Sequence, residues 1–150
     1  MKGRMLALML TGLMICAPLL SGCIGSDDTL SCGEGTTLLG DECIGYNDVS
    51  YTLRAENMAF IGVGGSIDGI TNPDSPIAVG DRVTLTLIMG ESNLHDVTIE
   101  YYNVATSQLT EEGSEDSLTF IASAEGTYAY YCSIPGHRAG GMEGNFIIGT

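Results

Sequence analysis

Residues 130–142 read Y-Y-C-S-I-P-G-H-R-A-G-G-M. Four residues separate Cys132 from His137, and four more separate His137 from Met142. The whole chain holds two histidines, so setting one between a thiol and a thioether calls for a reason. Three readings compete at this point: neighbours in a core, a Cys/His nucleophile pair, or part of a metal site. Period-two alternation before the cysteine places Tyr128, Tyr130 and Cys132 on one face of a strand. Pro135 and Gly136 turn the chain, and Gly140 and Gly141 let the backbone bring Met142 close.

Working outward, residues 95–101 (H-D-V-T-I-E-Y) alternate in the same way. His95, Val97, Ile99 and Tyr101 are expected on a core-facing row, with Asp96, Thr98 and Glu100 on the other face. Residues 82–89 (R-V-T-L-T-L-I-M) put Val83, Leu85, Leu87 and Met89 on one buried face. Residues 50–55 alternate too, and 58–61 extend them past a bulge expected at Glu56 and Asn57. Residues 117–121, 127–132 and 145–148 supply further strands. Residues 62–76 are rich in Gly, Asn, Asp and Pro and read as a loop; they lack the lysine and GK[ST] ending of a phosphate cradle. No repeat or amphipathic helix interrupts residues 49–150, so the expected class is an all-β sandwich of about a hundred residues.

Chemistry narrows the site. A thiolate, two imidazoles and a thioether (Cys132, His95, His137 and Met142) form a soft-to-borderline set. His₂Cys in a trigonal arrangement with a weak axial Met is the donor set of a blue-copper electron-transfer centre. Structural zinc prefers more Cys or His, and methionine serves zinc poorly. A nucleophilic cysteine would need a substrate cleft and an oxyanion site, for which the sequence offers no sign.

The stretch G-T-Y-A-Y-Y-C-S-I-P-G-H-R-A-G-G-M-E-G resembles the copper-binding loop of the cupredoxins, the blue copper proteins, with spacing similar to auracyanin- and sulfocyanin-like members. N-P-D-S-P-I-A-V-G-D-R-V-T-L-T-L resembles the family's segment before the first copper histidine. The resemblance covers roughly residues 49–149. It implies a Greek-key sandwich binding one copper, with His95, Cys132 and His137 as strong ligands and Met142 as the weak axial one. It also implies that electrons enter and leave at the edge of His137, ringed by Pro135, Ala139 and Gly140. Members commonly carry Asn after the first histidine, tying the two ligand loops together; here Asp96 stands there, a carboxylate with no amide donor.

Both histidines are used by such a site, which leaves none for an additional catalytic copper. A one-electron carrier is therefore expected rather than an enzyme. The alternatives are a copper storage or delivery protein, or an accessory subunit of a larger redox complex. No small-molecule substrate is expected.

The start of the chain reads as an address. Lys2 and Arg4 precede an apolar run that ends in Leu20-Ser21-Gly22-Cys23, too short and interrupted to span a membrane well. It resembles the lipobox of prokaryotic lipoproteins, which implies a signal peptide over 1–22, lipid on Cys23 and an extracytoplasmic, membrane-anchored protein. Of five cysteines, Cys16 would leave with the signal. Cys32 and Cys43 are expected to close a small loop within a tether over 23–48, and Cys132 is left over. The formal charge is −14, with Arg54, Arg82 and Arg138 the basic residues after position 23. Such a surface is a poor partner for nucleic acid; it suits a cationic redox protein and, equally, adaptation to salty surroundings.

Overall fold

The computed structural model describes residues 31–149, so Cys23 and the expected signal segment lie outside the described residues. Within them run β1 (Thr36–Leu39), β2 (Glu42–Gly45), β3 (Asp48–Glu56), β4 (Ala59–Gly62), β5 (Ser75–Ala78), β6 (Arg82–Met89), β7 (Thr98–Ile99), β8 (Val104–Ala105), β9 (Glu115–Ile121), β10 (Gly126–Tyr131) and β11 (Glu143–Gly149). A single 3₁₀ turn at Gly65–Ile67 is the only helical piece among the described residues. None of their helices is long and apolar enough to cross a membrane.

Alternation sets the architecture. Every second side chain of β6 (Val83, Leu85, Leu87 and Met89) is buried, as its sequence pattern requires. One sheet has the order β4-β3-β6-β9 and the other β5-β11-β10-β7-β8. The chain passes between them repeatedly, which makes the β3–β6 and β5–β11 pairs parallel while their neighbours are antiparallel. These crossings give the Greek-key sandwich expected from the sequence. Inward rows from the two sheets meet at Leu53, Ala55, Leu85, Leu87, Tyr130, Phe146 and Ile148. Each large apolar side chain removed from water there contributes about 1.5–3 kcal/mol. Rings continue the packing: Phe60 lies 5.6 Å from Tyr130, which lies 5.1 Å from Phe146.

The small hairpin β1–β2 stands apart as a two-stranded sheet, closed by a Cys32–Cys43 disulfide. It packs where β6 begins. A Cβ placed on Gly80 would stand 2.7 Å from Ile44 Cδ1, Arg82 lies 4.5 Å over the Tyr46 ring, and the Arg82 N–H donates to the Asn47 carbonyl at 3.0 Å. The Asp81 carboxylate ties this end further, accepting from Asn47 Nδ2 and the Ala78 N–H, both at 3.2 Å.

Three expectations need correction. Asn57 and Met58, with φ of 52° and 60°, form a two-residue turn that closes β3 and β4 into a hairpin; there is no bulge at Glu56 and Asn57. Consecutive left-handed residues match the twist of a tight hairpin, and Met in that conformation is uncommon enough to hide the signal. The loop expected over 62–76 ends earlier, because Ser75 and Pro76 already pair with β11. The row expected from His95 to Tyr101 also stops at Ile99. Tyr101 is 60% exposed and lies outside the core, its ring 4.3 Å from that of Tyr128.

Candidate metal centre

At the far end of the sandwich from the hairpin, the connection between β10 and β11 folds back on itself. Cys132 follows the last residue of β10, and its N–H donates to the Met142 carbonyl at 3.2 Å. Met142 N–H in turn donates to the His137 carbonyl at 3.0 Å, and His137 N–H to the Ile134 carbonyl at 3.0 Å. Gly136 and Gly141, with φ of 91° and 99°, make the two bends that this closure needs. Met142 ends fully buried at the same end as Cys132.

His95 arrives from the connection between β6 and β7. Its backbone exchanges two hydrogen bonds with Leu109, at 3.0 and 2.8 Å, and its side chain is fully buried. Cys132 Sγ then lies 3.9 Å from His95 Nδ1 and 3.3 Å from His137 Nδ1. The two rings are 5.0 Å apart, and the three donor atoms all fall within 4.8 Å of one another. His137 is half-buried, with exposed Pro135, Ala139 and Gly140 around it.

The geometry suits a small metal. Donor bonds of about 2.0–2.3 Å in a trigonal plane would set donors about 3.5–3.8 Å apart, close to the observed spacings. The chemistry suits copper, because thiolate and thioether accept Cu(I) and imidazole accepts both oxidation states. Burial pushes the Cys132 thiol up, while the N–H groups of Asp96 and Ile134 oppose that rise by hydrogen bonding to the sulfur. A metal cation at this position would displace the proton, since the thiolate is the form that binds.

Asp96 corrects a further expectation. It was placed on the outer face by alternation, yet it is 3% exposed. Its carboxylate accepts from the Ser133 N–H at 2.6 Å and from the Ser133 hydroxyl. The acid therefore links the His95 and Cys132 segments itself, by receiving donors from the neighbour of the cysteine. Pro135 stays at the surface of the loop. Glu91 escaped sequence reasoning; it lies four residues before His95, and its Oε1 is 3.2 Å from His95 Nε2.

Residues 78–149 match the model of the copper binding proteins of the plastocyanin/azurin family. No curated protein matches the sequence. Among solved structures, reduced auracyanin from the photosynthetic bacterium Roseiflexus castenholzii is similar at 21% identity, covering 71% of this chain and 100% of that one with a TM-score of 0.52. Rusticyanin from Thiobacillus ferrooxidans is similar at 24% identity, covering 77% and 86%, also with a TM-score of 0.52. A copper nitrite reductase from Nitrosomonas europaea shares the fold at 23% identity and a TM-score of 0.52, over 68% of this chain and 41% of that one. Likeness at these identities carries the fold. The family match and the donor set carry the metal. The fold gathers His95, Cys132 and His137, with buried Met142 at the same end, into a donor set that fits one copper ion, and the chain is similar over residues 78–149 to the copper binding proteins of the plastocyanin/azurin family.

Proposed function

We propose that this protein is an extracytoplasmic, membrane-anchored blue copper protein that carries single electrons between redox proteins. His95, Cys132 and His137 would hold the copper as its strong ligands, and Met142 would serve as the weak fourth one. The observation that carries the reading is a fully buried thiol with two imidazole nitrogens 3.3 and 3.9 Å away. Bound copper supplies a Cu(I)/Cu(II) couple. The chain supplies the constraint on it. Backbone hydrogen bonds exchanged with Leu109 and donated to the Ile134 and Met142 carbonyls hold the donors on a rigid β-scaffold, so the geometry would change little when the charge does. Full burial of His95, Cys132 and Met142 favours retention of the metal over delivery.

His137 is the proposed electron gate, since its ring is the half-buried member of the set and small residues surround it. Signal segment 1–22, lipid on Cys23 and tether 23–48 lie ahead of the sandwich in this reading. The Cys32–Cys43 disulfide supports an oxidising compartment. Both histidines are committed to one centre, so the protein is an electron carrier and not an enzyme.

Loading the soluble domain with Cu(II) and recording its visible spectrum tests the proposal. A strong thiolate-to-copper band, bleached on reduction and absent in Cys132→Ser, is expected. A band that survives Cys132→Ser unchanged, or no colour at all, overturns the site.

A further inference from the structure

Glu91 sets a carboxylate against the ring of His95. His95 shows a different partner to each ring nitrogen: Nδ1 faces the Cys132 sulfur at 3.9 Å, and Nε2 faces Glu91 Oε1 at 3.2 Å. A histidine that ligates through Nδ1 must carry its proton on Nε2, and a buried N–H needs an acceptor. Glu91 is positioned to be that acceptor. The sequence between them turns back tightly, with the Asn93 N–H donating to the Glu91 carbonyl at 3.1 Å. Glu91 Oε1 also accepts the Asn57 N–H at 3.1 Å, so the same oxygen holds the β3–β4 turn. That turn reaches the copper loop: a Cβ on Gly140 would stand 3.1 Å from Met58 Cε.

We propose that Glu91 is a positioning residue for copper: its carboxylate fixes His95 in the Nε2–H form, and its negative charge favours Cu(II) over Cu(I). This rests on the reading of His95 as a ligand through Nδ1. A carboxylate acceptor makes the imidazole a stronger donor and adds a fixed charge close to the metal. Both effects stabilise the more highly charged oxidation state. A neutral acceptor supplies the hydrogen bond without the charge, so the two contributions are separable.

Glu91→Gln and Glu91→Ala separate them, with exposed Glu112→Gln as the control. Nitrogen NMR of the metal-free protein reads the His95 tautomer, and titration and voltammetry read Cu(II) affinity and reduction potential. The metal-free wild type is expected to hold the proton on Nε2. Glu91→Gln keeps that tautomer, because the amide oxygen still accepts, yet raises the potential. Glu91→Ala mixes the tautomers and lowers Cu(II) affinity by roughly 10–100-fold. Each tenfold loss confined to Cu(II) raises the potential by about 59 mV.

A wild-type proton on Nδ1 overturns the proposal, as does a potential in Glu91→Gln equal to that of the wild type and the control. Glu91→Gln is nearly isosteric, so it preserves the test if the alanine variant fails to fold. Failure of the copper reading itself is seen separately, as a wild type that takes up no copper; the tautomer measurement then judges Glu91 without metal.

Discussion

At position 96 a carboxylate receives two donors from Ser133, the residue next to Cys132. Those bonds fix one flank of the thiol while Leu109 fixes the backbone of His95. Asp96→Ala leaves the part-buried Ser133 N–H without its partner, and should cost about 1 kcal/mol of stability in the metal-free protein. Asp96→Asn can keep the bond to the N–H through its oxygen and turn its amide toward the hydroxyl. Denaturant unfolding is therefore expected to place the asparagine variant much nearer the wild type than the alanine variant. The grouping of His95, Cys132 and His137 was legible because soft donors are scarce here and pairing of Cys32 with Cys43 left Cys132 unpaired. Asp96 and Glu91 were not. Alternation presumes a continuous strand, but His95 sits in an isolated bridge, so His95, Asp96 and Val97 are buried in succession. The partner of Nε2 depends on a turn that no periodicity encodes.

Among the elements, β10 and β11 carry the loop that closes on the metal. Their pairing sets Tyr130 opposite Gly144, with the ring lying over the glycine, so that a Cβ on Gly144 would run into the Tyr130 ring. The Tyr130 hydroxyl passes on to donate to the Pro73 carbonyl at 2.7 Å, and burial raises the pKa of the phenol. Gly144→Ala cannot be accommodated without moving that ring, and such overpacking costs about 1–3 kcal/mol. Since Tyr130 and Cys132 lie two residues apart on one face, the variant should also broaden or shift the copper band. Thermal unfolding and the visible spectrum check both outcomes. Strands β6, β10 and β11 were readable from alternation because each buries one face. Strand β5 was obscured, as its four residues include Pro76 and follow a run of turn-forming residues. The β3–β4 turn was obscured because Asn-Met lacks the glycine that usually marks it.

Over the whole molecule, charge and shape decide how the protein meets others. With a formal charge of −14, its field should draw cationic partners. Raising ionic strength from 0.01 to 0.15 M shortens the screening length from about 30 to about 8 Å. Stopped-flow electron transfer to a cationic redox protein should therefore slow several-fold or more across that range, while transfer to a neutral complex stays level. A rate indifferent to salt with the cationic partner would count against steering. The small hairpin adds a directional consequence. It packs where β6 begins, and the copper loop and the β3–β4 turn lie where β6 ends, some 25 Å away for eight residues of strand. Cys32 and the hairpin thus lie at the pole opposite His137. Under the proposed lipid anchor on Cys23, the protein would stand like a lamp on its base, its redox centre facing outward within reach of partners diffusing past.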